Sequence, residues 1–301
     1  MGERALDVGP GAAARRPSAR ASADRGGGWI ALQAVLAGSL VLLFLLPLYA
    51  LFTYAPLARI ADAAQNSGVR AALWVTLLAS GLAVLVAVVL GVPFGFLLAR
   101  RRFPGRTWLE AFVGLPIVVP HLMVGLGLFL LFLPGAPLDR AAVAVGFPVY
   151  DAIWGVVLVM VFVSAPYTVI ASTLSFRAVD PRTVEAARAL GAGPAEAFWT
   201  VTLPIAARGI IAGLLLTWAR AVSEIGGLLV LASYVYPGGP YRGPVAAPIS
   251  VYVYNLFQNG DLADAAAVSS LFLLLAFAIF VAVRFAERAR WVPWNRGEVG
   301  P

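Results

Sequence analysis

Long apolar runs alternate along this chain with short polar segments that carry arginine. The runs fall at roughly 29–54, 71–99, 108–133, 150–175, 208–235 and 266–286. At ~1.5 Å of rise per helical residue, each is long enough to cross a hydrocarbon layer ~30 Å thick. The pattern therefore predicts an all-α, polytopic membrane protein with about six transmembrane helices over residues 29–290. The first run is too long for the core of a cleaved signal peptide and reads as a retained span. Residues 1–28, rich in Ala, Arg and Gly and without hydrophobic periodicity, read as a disordered basic cytoplasmic tail, and 291–301 as a second cytoplasmic tail.

Composition agrees with lipid as the main solvent. Mean hydropathy is +0.87, and 12% of residues are charged, against about 25% in a soluble domain. The 301 residues leave no room for a second large soluble domain beside six spans. The net charge of +7 comes from a chain whose 22 basic residues are all arginine. Because these arginines sit in short segments between apolar runs, they read as determinants of membrane orientation rather than as a nucleic-acid surface. Without lysine there can be no Gly-Lys-Ser/Thr phosphate loop. Without cysteine, and with one histidine, there is neither a thiol nucleophile nor a multi-histidine metal centre.

Orientation follows from the arginines. With the N-terminus in the cytoplasm, seventeen fall inside, in the two tails and in the segments after the second and fourth spans. Arg59, Arg70, Arg140 and Arg242 fall outside, and Arg220 lies within the fifth span. Both termini are expected to be cytoplasmic.

Two loops are long. The outer one, 236–265, carries Pro237, Pro240, Pro244 and Pro248 and then the amphipathic stretch Ile249–Phe257, expected to be a short interfacial helix. In the inner one, 176–207, Asp180 suits an N-cap, Pro181 a first helical position and Gly191 a helix stop. Gly193-Pro194 then restarts a helix, with Glu196 in its first turn. Two short helices joined by a sharp glycine bend are predicted there.

This inner loop resembles the "EAA" loop of ABC importer permeases. Glu185, Ala186, Ala187, Gly191, Leu203 and Pro204 match that motif at its spacing, with Val201 in place of Ile. The resemblance spans about 29–290 and has the flavour of the molybdate/tungstate/sulfate branch. Ala219-Arg220-Ala221-Val222-Ser223-Glu224-Ile225-Gly226-Gly227 is similar to that branch's Ala-Arg-x-x-x-Glu-Phe-Gly-Ala segment, departing at Ile225 and Gly227. Leu115-Pro116-Ile117-Val118-Val119-Pro120-His121 is similar to its Leu-Pro-x-x-x-Pro-His segment. The resemblance implies a small ABC permease fold, a homodimer, and a cytoplasmic ATPase dimer that binds ATP and Mg and docks on the EAA helix. It also implies an extracellular or periplasmic oxyanion-binding protein that delivers tungstate or molybdate, with sulfate or thiosulfate as the alternative. This chain would perform no covalent chemistry and carry no cofactor.

Polar residues inside spans are costly and draw attention. Arg220 and Glu224, four apart, share a helix face: they either neutralise each other to lock packing or line the substrate path. Ser223 and Gly226 lie beside them. Pro116, Pro120 and Pro166 interrupt helices, either baring backbone donors toward an anion or serving packing alone. His121 could meet the anion or bond a neighbouring helix, and Gly91-x-x-x-Gly95 permits close packing. A stand-alone carrier or channel is the remote alternative, weakened by the lack of an internal repeat. A membrane enzyme lacks the residues for a catalytic cluster.

Overall fold

A computed structural model describes residues 19–291, with side chains from 28 to 286. The chain divides into two units, residues 1–53 and 54–301. Nearly all of helix α1 (Ala19–Tyr54) belongs to the first. It starts ten residues before the expected Trp29, because the helix-favouring Ala and Arg of 19–25 carry it backward. Of the expected N-terminal tail, 19–28 is thus helical. Residues 1–18 and 292–301 lie outside the described residues.

The second unit contains α2 (Leu57–Gln65), α3 (Ser67–Arg100), α4 (Arg106–Val118), α5 (His121–Leu131), α6 (Pro137–Ala144) and α7 (Ile153–Arg177). It continues with α8 (Pro181–Ala189), α9 (Pro194–Val222), α10 (Gly226–Leu231), α11 (Ile249–Gln258) and α12 (Leu262–Trp291). Among the described residues five helices are long and apolar enough to cross a membrane, or six if the bent α4–α5 pair counts as one span.

The core sits around α7, which is apolar on all sides and packs against α3 and α9. Val156, Val159, Met160 and Val163 are fully buried in it. The Gly91-x-x-x-Gly95 pattern serves this core: a Cβ on Gly95 would stand 2.6 Å from the Ser172 Cβ of α7, so only glycine lets the two backbones approach.

The expected third span, 108–133, is not one helix. It bends by 106° between α4 and α5. Pro120 cannot continue the ladder and pushes Val119 into extended backbone (ψ 130°), which ends α4 there. The expected fifth span, 208–235, is shifted: its helix runs Pro194–Val222, breaks at 223–225 and resumes as α10. Pro204 does not interrupt it, because a wide π turn at Phe198–Thr202 changes the hydrogen-bond register just before the proline. A second π turn, Ala87–Gly91, does the same before Pro93 in α3.

The outer loop contains the expected short helix. The helix itself lies where predicted: α11 buries one face, with Ile249 and Val251 inside, against α3 and α12, and leaves Phe257 and Gln258 exposed. Its first turn finds hydrogen-bond acceptors inside the protein, which removes the need for interfacial water at that end.

Candidate translocation and coupling sites

The loop between α7 and α9 is built as an exposed helix on an apolar footing. Asp180 caps α8 by accepting the Arg182 N–H at 2.9 Å, and Pro181 opens the first turn. Gly191 closes it in the left-handed region (φ +101°), its N–H donating to the Arg188 carbonyl. The expected second short helix is the beginning of α9, entered through Gly193, whose N–H donates to the Glu196 carboxylate. Underneath, Val184 and Leu203 pack with Phe176, Val179 and Phe198. Leu203 belongs to that apolar footing, while Glu185, Ala186, Gly191 and Pro204 are exposed and Ala187 is half-buried. Sequence reasoning passed over Leu190, which is 91% exposed at the tip of the same helix. Its signal was a lone leucine ending a hydrophilic segment.

Ion pairs brace this end of the molecule. Glu110 of α4 accepts from Arg106 at 3.0 Å and from Arg177 of α7 at 2.6 Å. Arg100 donates to the Val179 carbonyl at 3.1 Å. The ends of α3, α4 and α7 are tied together next to the root of α8.

The second site lies at the two helix breaks. Glu224 is 1% exposed, and its Oε2 accepts from Arg220 Nη2 at 2.8 Å. Its Oε1 accepts the Gly227 N–H at 2.8 Å, so one carboxylate both neutralises an arginine and caps α10. Arg220 Nη1 donates to Ser223 Oγ at 3.2 Å, and that hydroxyl donates back to the Arg220 carbonyl. Both charges are thereby compensated within one stretch of five residues. The α5 break comes to the same place: a Cβ on Gly226 would meet His121 Cβ at 3.1 Å and the Leu122 nitrogen at 3.0 Å. The structure thus brings His121 against Gly226, two positions that the sequence leaves about a hundred residues apart, next to the Arg220–Glu224 pair along the chain. His121 Nδ1 is buried and has no hydrogen-bond partner among the described residues. Sequence reasoning missed Ser250, whose hydroxyl donates to the Glu224 carbonyl at 2.6 Å, and Thr76, whose Oγ1 accepts the Ile249 N–H at 2.8 Å. Only proximity reveals them.

Two interrupted membrane helices thus approach each other beside a compensated ion pair, and a capped helix is displayed on an exposed loop. The chain belongs to the binding-protein-dependent transport system inner membrane component family, whose model matches residues 91–291. It is a multi-pass inner-membrane permease subunit of the ABC transporter type. It is 35% identical over 210 residues to the molybdate/tungstate transport system permease protein WtpB of Thermococcus kodakarensis, covering 70% of this chain and 75% of that one. A probable molybdenum ABC transporter permease protein of Haloferax volcanii is 36% identical, over 78% of this chain and 82% of its own. The sulfate transport system permease protein CysT of Synechococcus elongatus is 30% identical, over 81% and 86%. The fold is similar to a chain of a bacterial alginate ABC transporter solved with a pentasaccharide-bound periplasmic protein (TM-score 0.65, 19% identity, 88% of this chain and 96% of that one). It is also similar to a chain of the MetNI methionine ABC transporter (TM-score 0.55, 19% identity, 72% and 94%).

Proposed function

We propose that this chain is the membrane path of an ATP-driven importer of a tetrahedral oxyanion, molybdate or tungstate. The observation that carries the reading is its likeness, at 35% and 36% identity over most of the membrane region, to permeases named for those anions. Sulfate is the second reading, favoured by the 30% identity to a sulfate permease. In this reading the exposed face of α8, with Glu185, Ala186, Gly191 and Leu190, docks on a cytoplasmic ATPase that binds ATP and Mg. The arginine-rich ends then lie in the cytoplasm, and a binding protein delivers the anion to the opposite face. Two copies of the chain enclose the path. Arg220 is committed to Glu224, so the path tolerates the anion without holding it tightly, and selectivity rests on the delivering protein. The test is uptake of radiolabelled tungstate into vesicles holding this chain, its ATPase and the binding protein. Excess molybdate should suppress that uptake and equimolar sulfate should not. Suppression by sulfate alone would shift the assignment to the second reading.

A further inference from the structure

The break in the fifth span leaves the Glu224 carbonyl outside both helices, because α9 has ended and α10 begins only at Gly226. A bare carbonyl in a membrane interior is costly. Its partner is the hydroxyl of Ser250, at 2.6 Å, from the first turn of α11. That turn is itself fixed: the Ile249 N–H donates to Thr76 Oγ1 of α3 at 2.8 Å, and Thr76 is 1% exposed. Thr76 is held in turn, since its hydroxyl donates to the Ala72 carbonyl at 2.9 Å. A continuous hydrogen-bonded line therefore runs from α3 through the start of α11 to the backbone of Glu224. From there the Glu224 side chain reaches Arg220 and the Gly227 N–H.

We propose that Ser250 and Thr76 are positioning residues for the Arg220–Glu224 pair, holding the helix break in the shape that transport requires. This rests on the proposed transport role for its functional half, and its structural half is tested separately. Neither residue belongs to a sequence motif, and among the described residues neither side chain hydrogen-bonds the Arg220 or Glu224 side chain. Ser250 acts through the main chain of Glu224. Thr76 acts one step further back, by fixing the α11 turn from which Ser250 projects.

The experiment compares Ser250→Ala with Ser250→Thr in the complete transporter with its ATPase. Hydrogen exchange of the 222–231 peptide in the detergent-solubilised complex needs no transport assay. Removing the hydroxyl should speed exchange at Gly227, whose N–H is bonded to the Glu224 carboxylate, by roughly tenfold, the equivalent of one lost buried hydrogen bond. Threonine should hold the wild-type rate within about twofold, since it retains the donor. In vesicles, Ser250→Ala should lower the maximal uptake rate by a similar factor at unchanged half-saturating concentration, because capture belongs to the binding protein. A merely structural role would lower the amount of complex and leave the rate per complex unchanged. If Ser250→Ala cannot be recovered from the membrane, Thr76→Val against Thr76→Ser decides in the same way. Wild-type exchange in the hydroxyl-free variants, or equal damage from alanine and threonine, overturns the proposal. Absence of uptake by the wild-type complex would instead count against the transport reading, and the exchange result would still stand.

Discussion

Gly125 and Gly227 meet backbone to backbone where α5 crosses α10: a Cβ on Gly125 would stand 2.5 Å from the Gly227 carbonyl oxygen. The obstacle is main chain, which cannot swing aside as a flexible side chain would. Gly125→Ala should therefore force the two half-helices apart, at a cost of about 1–3 kcal/mol. Gly127, two residues along, supplies the control, since a Cβ there would find nothing within 4 Å. Thermal unfolding in detergent should show a clear loss for Gly125→Ala and none for Gly127→Ala. Equal midpoints would mean that the two half-helices cross with room to spare.

Arg220 and Glu224 should show strong non-additivity. Glu224→Ala leaves a guanidinium without its carboxylate and α10 without its cap. Losing one partner of a buried pair costs about 3–5 kcal/mol. Adding Arg220→Ala removes the stranded charge, so the double variant should assemble better than Glu224→Ala alone. The measurement is the amount of intact complex recovered from membranes. Equal losses in single and double variants would argue against coupling between the two.

The exposed loop offers a test with little risk to folding. Ala186→Trp places bulk on the outer face of α8, and Leu190→Asp replaces its 91%-exposed leucine with a charge. Gly191→Val puts a β-branched residue at φ +101°. All three should spare membrane insertion and weaken retention of the ATPase during purification. Full retention, with normal substrate-stimulated hydrolysis, would remove α8 from the coupling role.

Orientation can be read chemically, since the chain has no native cysteine. Thr183→Cys and Arg242→Cys place single thiols at exposed positions in the two long loops. In intact cells an impermeant maleimide should label position 242 and leave 183 untouched until the membrane is opened. The reverse pattern would invert the assigned topology.

Asp151, just ahead of α7, ties the entry of that helix to the last residue of α10 and the segment after it. Its N–H donates to the Leu231 carbonyl, its carbonyl accepts the Tyr236 N–H, and its carboxylate accepts the Tyr234 N–H. It does so at φ +45°, a region that Asp and Asn tolerate better than other side chains. Burial raises its pKa above 3.8, partly offset by backbone N–H groups. The folded state thus holds the proton more tightly, so the charge carries a stability cost at neutral pH that fades as pH falls through the folded pKa toward 3.8. Asp151→Asn should match or exceed wild-type stability at pH 7, with the gap closing in acid, whereas Asp151→Val should be destabilised at every pH. A stability gain for wild type over Asn on raising the pH would mean that the folded state favours the charged carboxylate instead.

The sequence by itself determined the solvent, the helical class and the approximate place of each apolar run, because a chain in lipid must satisfy its backbone within helices. It also determined α8 in detail: Asp180, Pro181 and Gly191 act through bonds to near neighbours, and local rules suffice for such contacts. Proline marked the α4–α5 break, but its 106° angle depends on what α5 packs against. The fifth span was misplaced because hydropathy cannot see a π turn that carries a helix past Pro204, nor a break at 223–225 after which the Glu224 carboxylate caps a new helix. Tertiary structure alone decided that His121 lies against Gly226, that Gly125 abuts Gly227, and that α11 begins against Thr76. In each case the deciding partner lies about a hundred residues away or more. Its identity is fixed by which backbones come close enough to exclude a Cβ or to share a hydrogen bond, and no periodicity along the chain records that.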